Sequence, residues 1–252
     1  MGEIFNQLIF YPIFNLLVFI YNILPGSDFG AAIIALTILI RLLFVPLSIK
    51  TLRSQKELTR LQPKIKEIQE KYKNDRQALG QATMALYREH KVNPFSGCLP
   101  LLIQLPVLIA LYQAFQLGLD PKSLDGLYSF VKNPGPISQT SLGFINLSQK
   151  SPPLAILAGA LQFFQSKLSL AKGGSRANAS LSPKDRQGSQ EVGAQREDNF
   201  GIGAMSRQML YFFPIMVILI SWNLPTGLVI YWVVTTLFSI LEQWYINRSF
   251  NR

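Results

Sequence analysis

The run ALTILIRLLFVPLSIK, residues 35–50, sits in a stretch from Gly30 to Ile49 that is apolar and long enough to cross a bilayer, with one charge, Arg41, inside it. Hydrocarbon offers no water to backbone N–H and C=O groups, so a spanning apolar segment must bond them internally as a helix. Four more such segments follow: 95–119, 152–170, 207–223 and 226–246. Only NLPTG separates the last two, and Pro225 with Gly227 makes that a sharp turn between antiparallel helices. The expected fold class is an all-α integral membrane protein with five transmembrane helices.

Charge sets the orientation. Only 15% of the 252 residues are charged, yet the net charge is +10. Eleven Lys and Arg lie from Lys50 to Lys91, seven from Lys167 to Arg207, and Arg248 and Arg252 follow in the tail 247–252. On the other side stand only Lys122, Lys132 and Lys150. The positive-inside rule then places the N-terminus outside and the C-terminus in the cytoplasm. Topology accounts for the basic charge, so no direct nucleic-acid function is expected.

Residues 1–29 form an extracytoplasmic segment in this reading. Within 3–24, Gln7, Tyr11, Asn15 and Asn22 make a polar seam along one helical face, which suits a helix lying in the interface. A sixth span would put the N-terminus inside, where no Lys or Arg supports it. Neither a basic n-region nor a small-residue cleavage site marks a signal peptide. Residues 50–94 read as a cytoplasmic helical hairpin. Leu58, Leu61, Ile65, Ile68 and Tyr72 form a narrow apolar seam, KYKND interrupts it, and Leu79, Ala82 and Leu86 resume it. Residues 120–151 are an extracytoplasmic loop. Residues 171–206, rich in Gly, Ser, Ala and Gln, read as a flexible cytoplasmic loop.

The single Cys98 and single His90 leave no metal site, and no phosphate-loop, serine-hydrolase or HExxH motif is present. Neither an enzyme nor a cofactor is expected. The candidate chemistry is instead polarity inside the membrane. Arg41 lies nine residues before Lys50, roughly 13 Å from the cytoplasmic boundary. Thr37 shares its helical face at i−4. Gln104, Gln113, Gln116, Gln162 and Gln165 are the polar residues of neighbouring spans, and Ser221, Trp222 and Asn223 end the fourth. No Asp or Glu stands at central depth; Glu242 is expected at cytoplasmic depth. An intramembrane Arg without a carboxylate at its level leaves water as its solvent, and so a hydrated cavity. A closed bundle, with Arg41 bonded to Gln amides and carbonyls, is the structural alternative. Inverted repeats, the mark of many solute transporters, are not evident.

The motifs IRLLFVPLSIKTLRSQ (40–55), NPFSGCLPLLIQLPVLIALY (93–112) and NLPTGLVIYW (223–232) resemble the YidC/Oxa/Alb membrane protein insertase family. The likeness runs along the whole chain, which looks like a minimal core of that family. The resemblance implies a membrane insertase and chaperone of the bacterial plasma (inner) membrane, active in Sec-independent insertion or beside a Sec translocon. It implies a substrate groove of Arg41, Thr37 and Gln104, open to cytoplasm and lipid. An apolar slide for the incoming helix is implied at Leu105, Leu108 and Leu111, facing Ile220, Tyr231 and Trp232. Implied partners are nascent membrane proteins and membrane lipids, with the ribosome, targeting factors and Sec translocon as further candidates.

Overall fold

The computed structural model describes residues 2–93, 96, 99–118, 126–177 and 202–249. The chain is helical apart from one short hairpin. Helix α1 is Glu3–Ile23, with a π turn over Asn6–Phe10. Pro12 explains that turn: its ring has no N–H and crowds the carbonyl four residues back, so the helix widens just before it. The turn at Leu24, Pro25, Gly26 and Ser27 leads to α2, Phe29–Lys71.

Helix α2 is 43 residues long and unbroken through Pro46 and Pro63. At 1.5 Å per residue it runs about 64 Å, twice the thickness of a bilayer's hydrocarbon. The boundary read at Lys50, between the first span and the hairpin, falls inside this one continuous helix. One rigid rod carries both. Its far end packs on α3, Arg76–Glu89, whose N-terminus is capped by Asp75 accepting from the amides of Gln77 and Ala78. Leu61 and Ile65 meet Leu86 and Tyr87 there, with Leu58 and Ile68 at the edge. Of the seam read from the sequence, Leu58, Leu61, Ile65, Ile68 and Leu86 make this contact, Tyr72, Leu79 and Ala82 are not part of it, and Tyr87 and Val92 join it unanticipated.

Helix α4 is Leu99–Gly118, α5 Pro152–Ala177, α6 Ile202–Asn223 and α7 Thr226–Ser249. Helices α5 and α6 thus extend into both ends of the expected loop 171–206; residues 178–201 lie outside the described set, as does part of the expected span 95–119. Three helices are long and apolar enough to cross a membrane among the described residues: Glu3–Ile23, Phe29–Lys71 and Thr226–Ile246. Gln104–Leu117 and Leu210–Asn223 are shorter apolar helices.

Between α4 and α5, β1 (Thr140–Ser141) pairs antiparallel with β2 (Ile145–Asn146). Leu142 and Gly143 turn the hairpin, both at positive φ (52° and 80°), the geometry that matches strand twist. This small sheet was not expected from the sequence. The loop is fastened to helix ends by named bonds. Asp28 caps α2 by accepting from the Ala31 amide and also accepts from the Ser141 hydroxyl and the Leu142 amide. Asn15 donates to the Gly126 carbonyl and accepts from the Tyr128 amide, and Asn22 donates to the Lys132 carbonyl. The α1 polar seam thus grips the loop. Thr226 donates twice to the Gln149 carbonyl, starting α7 beneath it.

The main core lies at this loop end of the bundle. It joins Phe14, Leu17 and Val18 of α1, Phe29 and Leu36 of α2, Ala110, Ala114 and Phe115 of α4, and Leu228 of α7. Gly227 permits a close approach: a Cβ there would stand 2.6 Å from the Phe115 ring. Further along, α5 packs closely on α6 and α7, and α2 on α7, while α4 touches α2 and α7 only sparsely. The bundle is consequently tight where the loop covers it and loose where α4 departs from α2 and α7.

Candidate functional site: a polar cleft around Arg41

The looseness of α4 leaves a pocket lined by Thr37, Arg41, Ser48 and Thr51 of α2, Gln104 of α4, and Tyr231 and Thr235 of α7, with Ile40, Phe44, Leu47 and Val107 as its apolar walls. About 50 Å³ is open to the centres of water molecules, room for several ordered waters. Every α2 residue of the lining lies beyond Leu36, where the apolar core ends.

Arg41 is half-buried. Its Nη2 donates to Gln104 Oε1 at 3.4 Å, a long bond. A guanidinium has five N–H donors, and the others have no protein acceptor among the described residues. Gln104 in turn donates to the Tyr231 hydroxyl, so one amide bridges α2 and α7 from the third wall. Thr37 is 1% exposed and its hydroxyl donates to the Ile33 carbonyl of its own helix at 2.6 Å. It contributes shape and a methyl group; its hydrogen is committed.

The other glutamines do not meet Arg41. Gln162 and Gln165 bond to each other along α5. Gln113 and Gln116 line a separate recess between α4 and α1. Ser48, Thr51 and Thr235 are polar residues of the cleft that escaped the sequence reading, and Glu242, named there, adjoins the cleft through Ser48. Ser48 donates to Glu242 Oε2 at 2.9 Å. Glu242 was expected at the cytoplasmic level and apart from Arg41. The pairing of Ser48 with Glu242 across two distant helices left no sequence signal.

The six slide residues do not form one open face. Leu105 is 45% and Ile220 40% exposed, but Leu111 and Tyr231 are buried at 3%. Leu108 is half-buried against the core. Steps of three residues rotate 300° on a helix, so 105, 108 and 111 drift by about 120° and turn from the surface into the interior. Tyr231 and Trp232 are consecutive and point apart: Tyr231 enters the cleft, and Trp232 packs beside Ala158, Val217 and Val229.

Apolar side chains cover the outside of the bundle, among them Leu43 (74% exposed), Leu219 (65%) and Leu241 (64%). So many exposed large hydrophobics on helices define a lipid-embedded protein, here a multi-pass helical one with a cationic cleft between three helices. The chain belongs to the YidC/Oxa/Alb family: residues 19–252 match the family described as 60Kd inner membrane protein. Among relatives, "Membrane protein insertase YidC" of Fusobacterium nucleatum is 36% identical over 223 residues, covering 88% of this chain and 88% of the relative. A protein of the same name from Syntrophus aciditrophicus is 36% identical over 240 residues, 94% of this chain but 36% of the relative. "Membrane protein insertase YidC 1" of Listeria monocytogenes is 35% identical over 234 residues, 91% of this chain and 68% of the relative.

Proposed function

We propose that the chain is a membrane protein insertase that receives the polar tail of a passenger protein in a hydrated cleft at Arg41 and releases the passenger's apolar helix into lipid. The observation that carries this reading is the position of Arg41: the apolar core covers one end of the bundle, and the guanidinium begins the polar cleft directly beyond it. A tail lodged there has only the core half of the bilayer left to cross. Positive charge in a site of low dielectric attracts acidic tail residues more strongly than it would in water. The chain is not an enzyme: insertion breaks no covalent bond. The drive is apolar transfer, about 25 cal/mol per Å² of surface buried.

In this reading five helices span, with the N-terminus outside, the loop 126–151 outside and the basic ends of the helices in the bacterial cytoplasm. The α1 helix lies across the outer end of the bundle. Its contacts support that placement: Asn6, Phe10 and Tyr11 border Tyr112 to Leu117 of α4, while Tyr21 meets Phe29 of α2. A helix running antiparallel to α2 through the membrane would instead bring its first turns near Arg41. The rod formed by the far half of α2, with α3 folded on it, projects into the cytoplasm, where ribosomes, targeting factors and a Sec translocon are candidate partners. Leu105 and Ile220 remain exposed apolar contacts for a passenger; Leu111 and Tyr231 seal the cleft's outer end.

Reconstitution into liposomes with a short single-span reporter carrying an acidic tail, scored by protease protection, tests the proposal. Wild-type chain protects the tail, Arg41→Ala loses most of that protection, and Arg41→Lys keeps part of it. Equal protection by all three overturns the role of the charge.

A further inference from the structure

We propose that Glu242 is a second charged subsite of the cleft, one that takes the basic residue flanking the cytoplasmic end of a passenger helix. The inference rests on the insertase reading above. Glu242 Oε2 accepts from Ser48, whereas Oε1 is buried without a hydrogen-bond partner. A buried carboxylate oxygen left unpaired is costly unless a cation or donor reaches it. No donor stands within hydrogen-bond distance of it among the described residues.

Position gives the subsite its meaning. Ser48 stands seven residues beyond Arg41 on one continuous helix, so Glu242 sits about 10 Å nearer the basic end of the bundle. Arg41 thus lines the cleft, and Glu242 stands behind its Ser48 wall, an acidic group nearer the basic end. Passenger helices show the matching pattern, because Lys and Arg are concentrated at the cytoplasmic ends of spans. Along their helices, exposed Lys50 follows Ser48 by two residues and exposed Arg248 follows Glu242 by six, and Glu242 is the one acid of α7. Without it, this end would repel the flank that the passenger must leave there. The pair therefore works as a ruler: an acidic tail meets Arg41 while a basic flank meets Glu242.

The test uses the full chain in phosphatidylcholine liposomes, so that no anionic lipid contributes. Two reporters share an acidic tail and an apolar span and differ in the cytoplasmic flank, Lys-Lys or Gln-Gln. Wild-type chain inserts the Lys-flanked reporter about threefold better, the size of a partly exposed ion pair. Glu242→Gln, which keeps an acceptor for Ser48, brings the ratio of the two reporters to near one. Glu242→Asp preserves the preference. An unchanged ratio in Glu242→Gln, or an equal loss of both reporters, overturns the subsite. Arg41→Ala in the same series separates the two readings. Should wild-type insert both reporters, Arg41→Ala lower both, and the flank ratio persist in Glu242→Gln, only the subsite falls. If wild-type inserts neither above protein-free liposomes, subsite and insertase reading fall together.

Discussion

Gln104 and Tyr231 join helices that otherwise barely touch: the amide of α4 donates to the phenol oxygen of α7 across the top of the cleft. The same amide accepts from Arg41. One side chain therefore holds the cleft's width and its charge, and removing it separates both.

Gln104→Ala should leave the Tyr231 hydroxyl, 3% exposed as a residue, without its amide donor and Arg41 without its acceptor. An unsatisfied buried polar group costs about 1–3 kcal/mol. Thermal unfolding in detergent should show that loss for Gln104→Ala and about 1 kcal/mol for Tyr231→Phe. The double variant should fall short of the sum, since the residues are in contact. Strict additivity would mean that the bond contributes nothing.

The proposed boundary between a dry core and a hydrated cleft is open to chemical labelling. Ser48→Cys lies in the cleft, and Leu36→Cys lies in the core at 0% exposure. Thiol reactivity needs the thiolate and access to solvent. A membrane-impermeant maleimide should modify Ser48→Cys at least about tenfold faster than Leu36→Cys in proteoliposomes. Equal rates would show that water does not distinguish the two halves of α2.

Gly227 tests how tightly the outer end is closed. A methyl group there meets the Phe115 ring at 2.6 Å and Ile33 Cδ1 at 3.3 Å. Gly227→Ala should therefore destabilise by about 1–3 kcal/mol through overpacking, read as a lower unfolding midpoint. Phe115→Leu, which removes the ring, should recover part of the loss when combined with it. No recovery would place the strain elsewhere.

Asp28 gives the loop a dependence on pH. Burial raises its carboxyl, but hydrogen bonds from Leu142, Ser141, Ala31 and Gly30 outweigh burial and hold it below the ordinary value of 3.8. A lowered carboxyl stabilises the folded state above its unfolded pKa, and that contribution is lost as pH falls through the folded one. Amide exchange at Leu142 should accordingly stay slow at neutral pH and accelerate in the acid range below 3.8. Asp28→Asn should exchange faster at neutral pH and lose the acid transition.

Much of the cleft is legible in the amino-acid sequence. Arg41 announces itself because a charge among leucines is rare and expensive. Thr37 and Gln104 follow from helical spacing and from polarity in a neighbouring span. The apolar seam of α2 is readable as well, since Leu58, Leu61, Ile65 and Ile68 recur at helical intervals. Tyr87 of α3 escapes because it sits one residue past Leu86. The inward turn of Leu111 is not legible because a three-residue step drifts around the helix, nor is the parting of Tyr231 and Trp232, since adjacent residues point about 100° apart.

The order of residues along the chain dictates the apolar helices, the uneven distribution of their flanking charge and the presence of a cation that hydrocarbon does not tolerate alone. These are local properties: transfer free energy and periodicity are written residue by residue. Three features emerge only on assembly: α2 runs through its two prolines as one rod, the polar seam of α1 grips a loop, and Ser48 meets Glu242 from 194 residues away. Such pairings depend on which helix faces pack together, and packing is a property of the assembled bundle that no single segment carries.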